Sequence, residues 1–244
     1  MDKFITLKQA KPEVQCRFMT GVYLRMMFAL AITGAIAYGI AYCYDNNITL
    51  LLGMPFKKFY KEYFKVIFWT CIIAEFIVVI GFSSIIRKVS PFTALLMLVL
   101  YAVLNGITFS SVFLHFEKVS IEKIFLVTCL MFLGMSIYGA ITKSDLRSAG
   151  RIFMMALLGV IITGFVNILF KSEILDWILS IVGVVIFVGL TAYDTQKLLK
   201  LSIYDDGSNS FKKFAVLGAL ELYLDFINIF TRLLFLFGRK KEDN

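Results

Sequence analysis

Seven long blocks of apolar residues alternate with short polar segments along the chain. Each block has the roughly 20 residues that a helix needs to cross the hydrocarbon core of a bilayer. Because backbone amides find no water in hydrocarbon, continuous blocks of this length predict helices. The pattern predicts spans at 22–44, 64–86, 92–114, 121–141, 152–170, 174–199 and 214–237.

This pattern predicts an all-α membrane protein with one seven-helix domain over 22–237. A polar N-terminus, 1–21, precedes it, and a charged tail, 238–244, follows it. A soluble helical core is disfavoured, because blocks this continuous have no polar face to present to water. One alternative is a six-span version in which the last apolar segment is re-entrant.

The lysine and arginine residues of the connecting segments indicate an orientation. In the seven-span arrangement, twelve lie on the side of the N-terminus and nine lie on the opposite side. Since positive charge concentrates in cytoplasmic segments, the bias favours a cytoplasmic N-terminus and an outward C-terminus.

Composition agrees with a membrane protein, since 59% of the residues are hydrophobic and mean hydropathy is +0.83. The formal net charge of +8 raises the question of nucleic-acid binding. The basic residues, however, are scattered between apolar blocks, where they orient helices and do not form one basic groove. We therefore expect a lipid bilayer as the surrounding partner and no nucleic acid.

No enzyme chemistry is indicated by the motifs. Cys16, Cys43, Cys71 and Cys129 have no CxxC spacing, and the only histidine, His115, has no nearby cysteine in the sequence. A zinc site is therefore not expected. The sequence also contains no phosphate-binding glycine loop, nucleophile elbow or zinc-protease motif. We expect neither an enzyme nor a bound cofactor.

Ionisable residues inside the predicted spans are the candidate functional residues, because charge at membrane depth is costly. Asp194 lies near the end of the sixth span, and Glu221 and Asp225 lie one turn apart in the seventh. At similar depth, Asp194 and Asp225 are expected to share a proton and to act as a pH sensor that attracts Ca²⁺ once deprotonated. The alternative is that each aspartate is satisfied by a neighbouring group and only holds the bundle together.

Three further charged positions have open roles. Arg87 ends the second span and is a candidate counter-ion for Asp194, or a topology anchor. Glu221 either lines a pathway with Asp225 or faces interfacial water. Glu75 lies in the middle of the second span; it either contributes to a pathway or is a structural acid hydrogen-bonded to Asn105, Thr108 or Ser110. These last three lie in the third span.

Several segments resemble the Bax inhibitor-1 family, also called the transmembrane Bax inhibitor motif family. They are GALELYLDFINIFTRLL, GLTAYDTQKLLK and YGAITKSDLRSAG, with AEFIVVIGFSSIIRK and YAVLNGITFSSVF similar too. The resemblance covers almost the whole chain from Val22 onward. It implies seven helices with the last one central, wrapped by the other six.

The resemblance also implies a pH-sensitive calcium leak. It assigns a hydrogen-bonded aspartate pair that latches the pore to Asp194 and Asp225, with transient Ca²⁺ binding there. It matches Arg87 to an arginine that pairs with Asp194, and Glu75 to the acidic residue of the second helix. Glu221 stands where relatives often carry small or uncharged residues.

The sequence is therefore compatible with two functions. The first is a calcium or cation leak channel gated by the aspartate pair. The second is a regulatory protein that binds another membrane protein, such as a membrane protease or a cell-death or stress regulator. The short termini resemble those of bacterial members, so we expect a bacterial inner membrane, or an endoplasmic-reticulum-type membrane in a eukaryote.

Overall fold

The computed structural model describes residues 12–49, 54–86 and 88–241, apart from the Ser83 side chain, and folds them into seven helices. All seven are long enough and apolar enough to cross a membrane, which confirms the predicted fold class. They are α1 (Pro12–Asp45), α2 (Phe56–Ile85), α3 (Pro91–His115), α4 (Lys118–Ile141), α5 (Arg147–Phe170), α6 (Glu173–Ser202) and α7 (Asn209–Phe237).

Most helices begin several residues before the apolar blocks that predicted them. The earliest is α1, which starts at Pro12, ten residues before the predicted span. At the start of α3, Pro91 follows Ser90, whose hydroxyl accepts a hydrogen bond from the Thr93 backbone N–H at 3.1 Å. The free backbone amides of a helix's first turn are satisfied by water or by side-chain caps. A first turn therefore need not be apolar, and hydrophobicity alone does not locate the helix start.

The last helix, α7, is the most buried of the seven. It packs against α1, α3, α4 and α6, whereas α2 packs mainly on α3 and α5 mainly on α6. Leu222, Tyr223 and Ile229 of α7 are completely buried. The central position expected for this helix is therefore observed, although four helices supply most of its contacts.

The chain after α7 returns to the turn between α3 and α4. The Arg239 backbone N–H donates to the Ser120 hydroxyl at 2.9 Å, and the Lys241 N–H donates to the His115 carbonyl at 2.8 Å. The other end of α4 leads to a loop bound by α6. The end of α7 therefore lies at the α3–α4 end of the bundle, whereas its start follows the end of α6 at the opposite end. The helix α7 is thus a full span and not a re-entrant segment.

A close backbone contact joins α4 and α6. A Cβ placed on Gly139 of α4 would overlap the backbone carbonyl of Ala192 on α6, so only glycine allows this approach. Ala192 is two residues before Asp194. The contact therefore fixes the part of α6 that carries the candidate aspartate.

Candidate functional site

Acidic side chains of α6 and α7 meet around one lysine. Lys197 of α6 donates hydrogen bonds to Asp194 Oδ1 at 3.0 Å and to Glu221 Oε1 at 2.8 Å, so its ammonium group bridges the two helices. Asp225 lies on α7 one turn after Glu221. These four residues, Asp194, Lys197, Glu221 and Asp225, are called the acid cluster below.

Asp225 is the most enclosed member of the acid cluster, with 4% of its surface exposed. Its carboxyl group interacts electrostatically with Asp194, Glu221 and Lys197, while the nearby Thr191 hydroxyl donates to the Phe187 carbonyl at 2.8 Å. Its Oδ2 atom has no hydrogen-bond partner among the described residues. An unsatisfied buried oxygen is costly, so this carboxyl group is the least satisfied member of the acid cluster.

Helical spacing explains how the acid cluster forms. Thr191, Asp194 and Lys197 follow one another at three-residue intervals on α6, so they lie along one face. Glu221 and Asp225 are four residues apart and share a face of α7. Packing of α6 on α7 brings these faces together, with the long Lys197 side chain reaching across.

The structure thus brings together Asp194, Asp225 and Glu221 of the residues predicted from the sequence. No hydrogen bond joins Asp194 to Asp225 in the described part of the chain, so the hydrogen-bonded pair that the resemblance implies is not observed. Asp194 is paired with Lys197, a partner that the sequence analysis did not identify. The sequence did contain a signal for it, because Lys197 lies three residues after Asp194 on the same helix. Arg87, the predicted counter-ion, lies outside the described residues. Whether it pairs with Asp194 stays a prediction.

Glu75 lies in a separate polar network between α2 and α3. Asn105 donates to its Oε2 atom at 3.3 Å and Thr108 donates to its Oε1 atom at 3.1 Å. These are two of the three partners that the sequence offered for a structural acid. The third, Ser110, donates instead to the Ile107 carbonyl at 2.6 Å.

The Glu75 network continues to the central helix. Tyr223 of α7 donates from its hydroxyl to Asn105 Oδ1 at 3.1 Å, and the same hydroxyl lies 2.7 Å from the Thr33 hydroxyl of α1. Tyr223 and Asp225 are two residues apart, about 200° around the helix. Polar groups therefore contact α7 on two nearly opposite sides, the Glu75 network on one and the acid cluster on the other.

The loop between α4 and α5 is bound to the end of α6. Gln196 donates to the Ser144 carbonyl at 2.8 Å and accepts from the Leu146 N–H at 3.0 Å, while Lys200 donates to Asp145 at 2.9 Å. Two of the segments that carried the family resemblance are thereby in contact.

Asp145 of this loop is held in its charged form. The hydrogen bond from Lys200, reinforced by the hydrogen bond and ion pair with Arg147 at 2.7 Å, keeps the pKa of this carboxyl group well below its usual range. The loop lies immediately beyond α4, outside the spans. The charged Asp145 can therefore contribute to this contact at neutral pH.

Within residues 12–49, 54–86 and 88–241, no group of three histidine, cysteine, aspartate or glutamate side chains is arranged to hold a metal ion. In the acid cluster, Lys197 occupies the space between two of the carboxylates. Transient Ca²⁺ binding at Asp194 and Asp225 therefore stays a prediction.

The chain is similar to known proteins along nearly its whole length. A family model described as "Inhibitor of apoptosis-promoting Bax1" matches residues 15–242. The inner membrane protein YbhL of Escherichia coli (strain K12) is 38% identical over 226 residues, 92% of each chain. An uncharacterized protein of Borreliella burgdorferi is 36% identical over 242 residues, 98% of this chain and all of the relative.

A membrane protein of Streptococcus pyogenes serotype M1 is 31% identical over 224 residues, 91% of this chain and 93% of the relative. Seven apolar helices and relatives named as membrane proteins make the chain a multi-pass protein of the bacterial inner membrane. The family match covers the acid cluster, the Glu75 network and the bound loop together. The chain belongs to the Bax inhibitor-1 family.

Proposed function

We propose that the protein is a pH-sensitive leak pathway for Ca²⁺ or other cations, gated by the acid cluster between α6 and α7. The observation that carries the proposal is two carboxyl groups, Asp194 and Glu221, that share one ammonium group, beside the buried Asp225 carboxyl group, whose Oδ2 has no hydrogen-bond partner among the described residues. A site with this excess of acid favours cations over anions.

The closed state follows from the bridging lysine. While Lys197 contacts Asp194 on α6 and Glu221 on α7, it holds the two helices together. If all three carboxyl groups were ionised, one lysine would leave two uncompensated negative charges in a poorly solvated site. A proton in the acid cluster removes part of this repulsion, and its loss favours separation of the helices.

Separation of α6 and α7 would also free ligands for the ion. Ca²⁺ prefers several carboxylate and carbonyl oxygens at about 2.3–2.6 Å. Asp194, Glu221 and Asp225 supply such oxygens once Lys197 withdraws. Binding is then transient and coupled to opening, which is what a leak requires.

Glu75 is a second candidate position along the pathway. It is half-buried, and its network reaches α7 through Asn105 and Tyr223. Movement of α7 away from α6 would therefore disturb the Glu75 network as well. The two polar sites are proposed to respond together to opening.

The test is Ca²⁺ flux into proteoliposomes of the purified protein from about pH 5 to about pH 8. Flux should vary with pH in the wild type and lose that variation in Asp194→Asn and Asp225→Asn. Glu75→Gln should reduce the flux with little change in its pH profile. Asp145→Asn, a loop acid in a salt bridge, is the matched control and should keep the wild-type profile.

The opposite outcome supports another function. If wild-type vesicles pass no Ca²⁺ at any pH, or if the aspartate variants keep the wild-type profile, the leak proposal fails. The alternative is a regulatory protein that binds another membrane protein. A partner that co-purifies in fixed ratio with both wild type and Asp225→Asn would support that alternative.

A further inference from the structure

One more charged side chain lies in the interface between α6 and α7, away from the acid cluster. Arg232 of α7 is half-buried and follows Asp225 by seven residues, which is two helical turns or about 10.5 Å. It lies five residues before the end of α7 at Phe237. Because a guanidinium group stays protonated in proteins, this position carries a permanent positive charge inside a membrane span.

Helical geometry places Arg232 on the same face of α7 as the acid cluster. At about 100° per residue, Glu221, Asp225 and Arg232 lie within about 40° of one another around the helix. On α6, Gly183 and Asp194 lie within about 20° of one another. The two faces therefore meet along one strip of the α6–α7 interface, called the seam below, with the acid cluster toward one end and Arg232 toward the other.

A contact with Gly183 keeps the Arg232 side chain in the seam. A Cβ placed on Gly183 would lie 3.1 Å from Arg232 Nε and 3.3 Å from Arg232 Cδ, so the arginine lies directly against the α6 backbone. An arginine near the end of a membrane helix commonly extends past the lipid tails toward the head groups. Here the side chain crosses to the neighbouring helix, so its charge acts on the interface between the two.

The charge of Arg232 is only partly compensated. Asp176, near the start of α6, interacts with it electrostatically, but no ion pair or hydrogen bond joins the guanidinium group to another residue in the described part of the chain. Asp176 is exposed, and its Oδ1 atom accepts a hydrogen bond from Asn167 at 2.6 Å. Because water and salt screen an exposed charge, the seam keeps a positive potential around Arg232.

We propose that Arg232 sets the valence selectivity of the leak pathway by slowing divalent cations more than monovalent ones. The inference rests on the proposed function, because it requires cations to move along the seam. An ion that passes Asp225 meets the guanidinium group two turns later. Repulsion is proportional to the charge of the ion, so the barrier for Ca²⁺ is twice that for a monovalent cation at the same point. The acid cluster then attracts cations, while Arg232 keeps the Ca²⁺ leak slow.

The experiment is tracer exchange of Ca²⁺ and Rb⁺ in proteoliposomes of the purified protein, with equal salt on both sides so that no net charge moves. Arg232→Gln removes the charge, and both exchange rates should rise. Because the barrier doubles with valence, the factor for Ca²⁺ should be the square of the factor for Rb⁺, about tenfold against about threefold. Arg232→Lys keeps the charge and should keep the wild-type ratio of the two rates.

Variants of matched chemistry separate charge from structure. Arg239→Gln removes the same charge beyond the end of α7, where the side chain is exposed and screened, so both rates should stay near wild type. Asp176→Asn removes the partial compensation and should lower Ca²⁺ exchange more than Rb⁺ exchange. Glu173→Gln, at an exposed acid three residues earlier, should leave both rates unchanged. Asp176→Asn stays informative if Arg232→Gln fails to fold, and a purely structural pair would shift the rates of both variants in the same direction.

The outcomes distinguish the barrier from the leak itself. If wild type and every variant pass neither ion, the proposed leak fails and the barrier fails with it. If wild type passes both ions but Arg232→Gln matches Arg239→Gln, the barrier is overturned while the leak stands. The same holds if Arg232→Gln raises Ca²⁺ and Rb⁺ exchange by equal factors, because equal factors indicate looser helix packing and not the loss of a charge.

Discussion

The ammonium group of Lys197 on α6 lies 2.8 Å from the Glu221 carboxylate on α7 and 3.0 Å from Asp194 on its own helix. This single side chain connects the helix that carries one candidate aspartate to the helix that carries the other. The Lys197 side chain is 40% exposed, so water reaches part of the bridge. In the proposed leak pathway, opening between α6 and α7 begins with the loss of this contact.

Lys197→Met is expected to destabilise the closed protein and raise the basal leak. Removal of the cation leaves Asp194 and Glu221 without a partner, which costs about 1–3 kcal/mol once partial exposure is taken into account. Thermal unfolding in detergent and Ca²⁺ flux at neutral pH measure the two effects. The double variant Lys197→Met with Glu221→Gln should recover part of the lost stability. If the double variant were as unstable as Lys197→Met alone, the result would contradict a bridge between Lys197 and Glu221.

Arg87→Ala distinguishes the predicted counter-ion from a topology anchor. If Arg87 supports the charged form of Asp194, the variant should change the pH profile of the flux. Lys88→Ala, a neighbouring basic residue outside the spans, should keep the profile unchanged. A shared loss of membrane insertion in both variants would assign Arg87 to topology.

Tyr223→Phe is expected to cost about 1–3 kcal/mol of stability, because the Asn105 oxygen and the Thr33 hydroxyl lose a buried partner. Tyr101→Phe is the matched control. The Tyr101 ring packs edge-on against Tyr223 at 5.7 Å, and its hydroxyl has no hydrogen bond to another described residue. Equal thermal stability of the two variants would show that the network contributes little.

Gly139→Ala should be strongly destabilising, because the new methyl group overlaps the Ala192 carbonyl and forces α6 away from α4. The expected cost is about 1–3 kcal/mol, as for other overpacked contacts. Gly134→Ala on the same helix meets open space and should be neutral or slightly stabilising. Thermal unfolding of the pair checks this, and similar midpoints would contradict the close helix contact.

Asp145→Asn tests the loop contact through its pH dependence. Because the folded-state pKa of Asp145 is lowered, its stabilising effect is present above the ordinary value of about 3.9 and is lost as pH falls through the folded value. Between about pH 5 and pH 8 the carboxyl group stays ionised in both states. The variant should therefore lower the thermal midpoint equally at both pH values. If the decrease in the thermal midpoint differed between pH 5 and pH 8, another titrating group would have to lie at the loop.

The Glu75 position shows how far sequence reasoning reaches inside a membrane. Its predicted partners Asn105 and Thr108 are those observed, because an acid at mid-span depth has few polar side chains at the same depth to choose from. The link from Asn105 to Tyr223 was not foreseen. It depends on which face of α7 turns toward α3, and a helix that is apolar on most sides does not specify this.

The sequence by itself determined the seven spans and their order, because only a helix satisfies its backbone amides in hydrocarbon and only long apolar blocks are stable there. It also singled out the rare acids within those spans. The tertiary structure decided which cation meets them, through the reach of Lys197 from α6 to α7. It alone set the close approach of Gly139 on α4 to Ala192 on α6, since a contact between helices depends on their relative packing and leaves no mark on the hydrophobic pattern of either one.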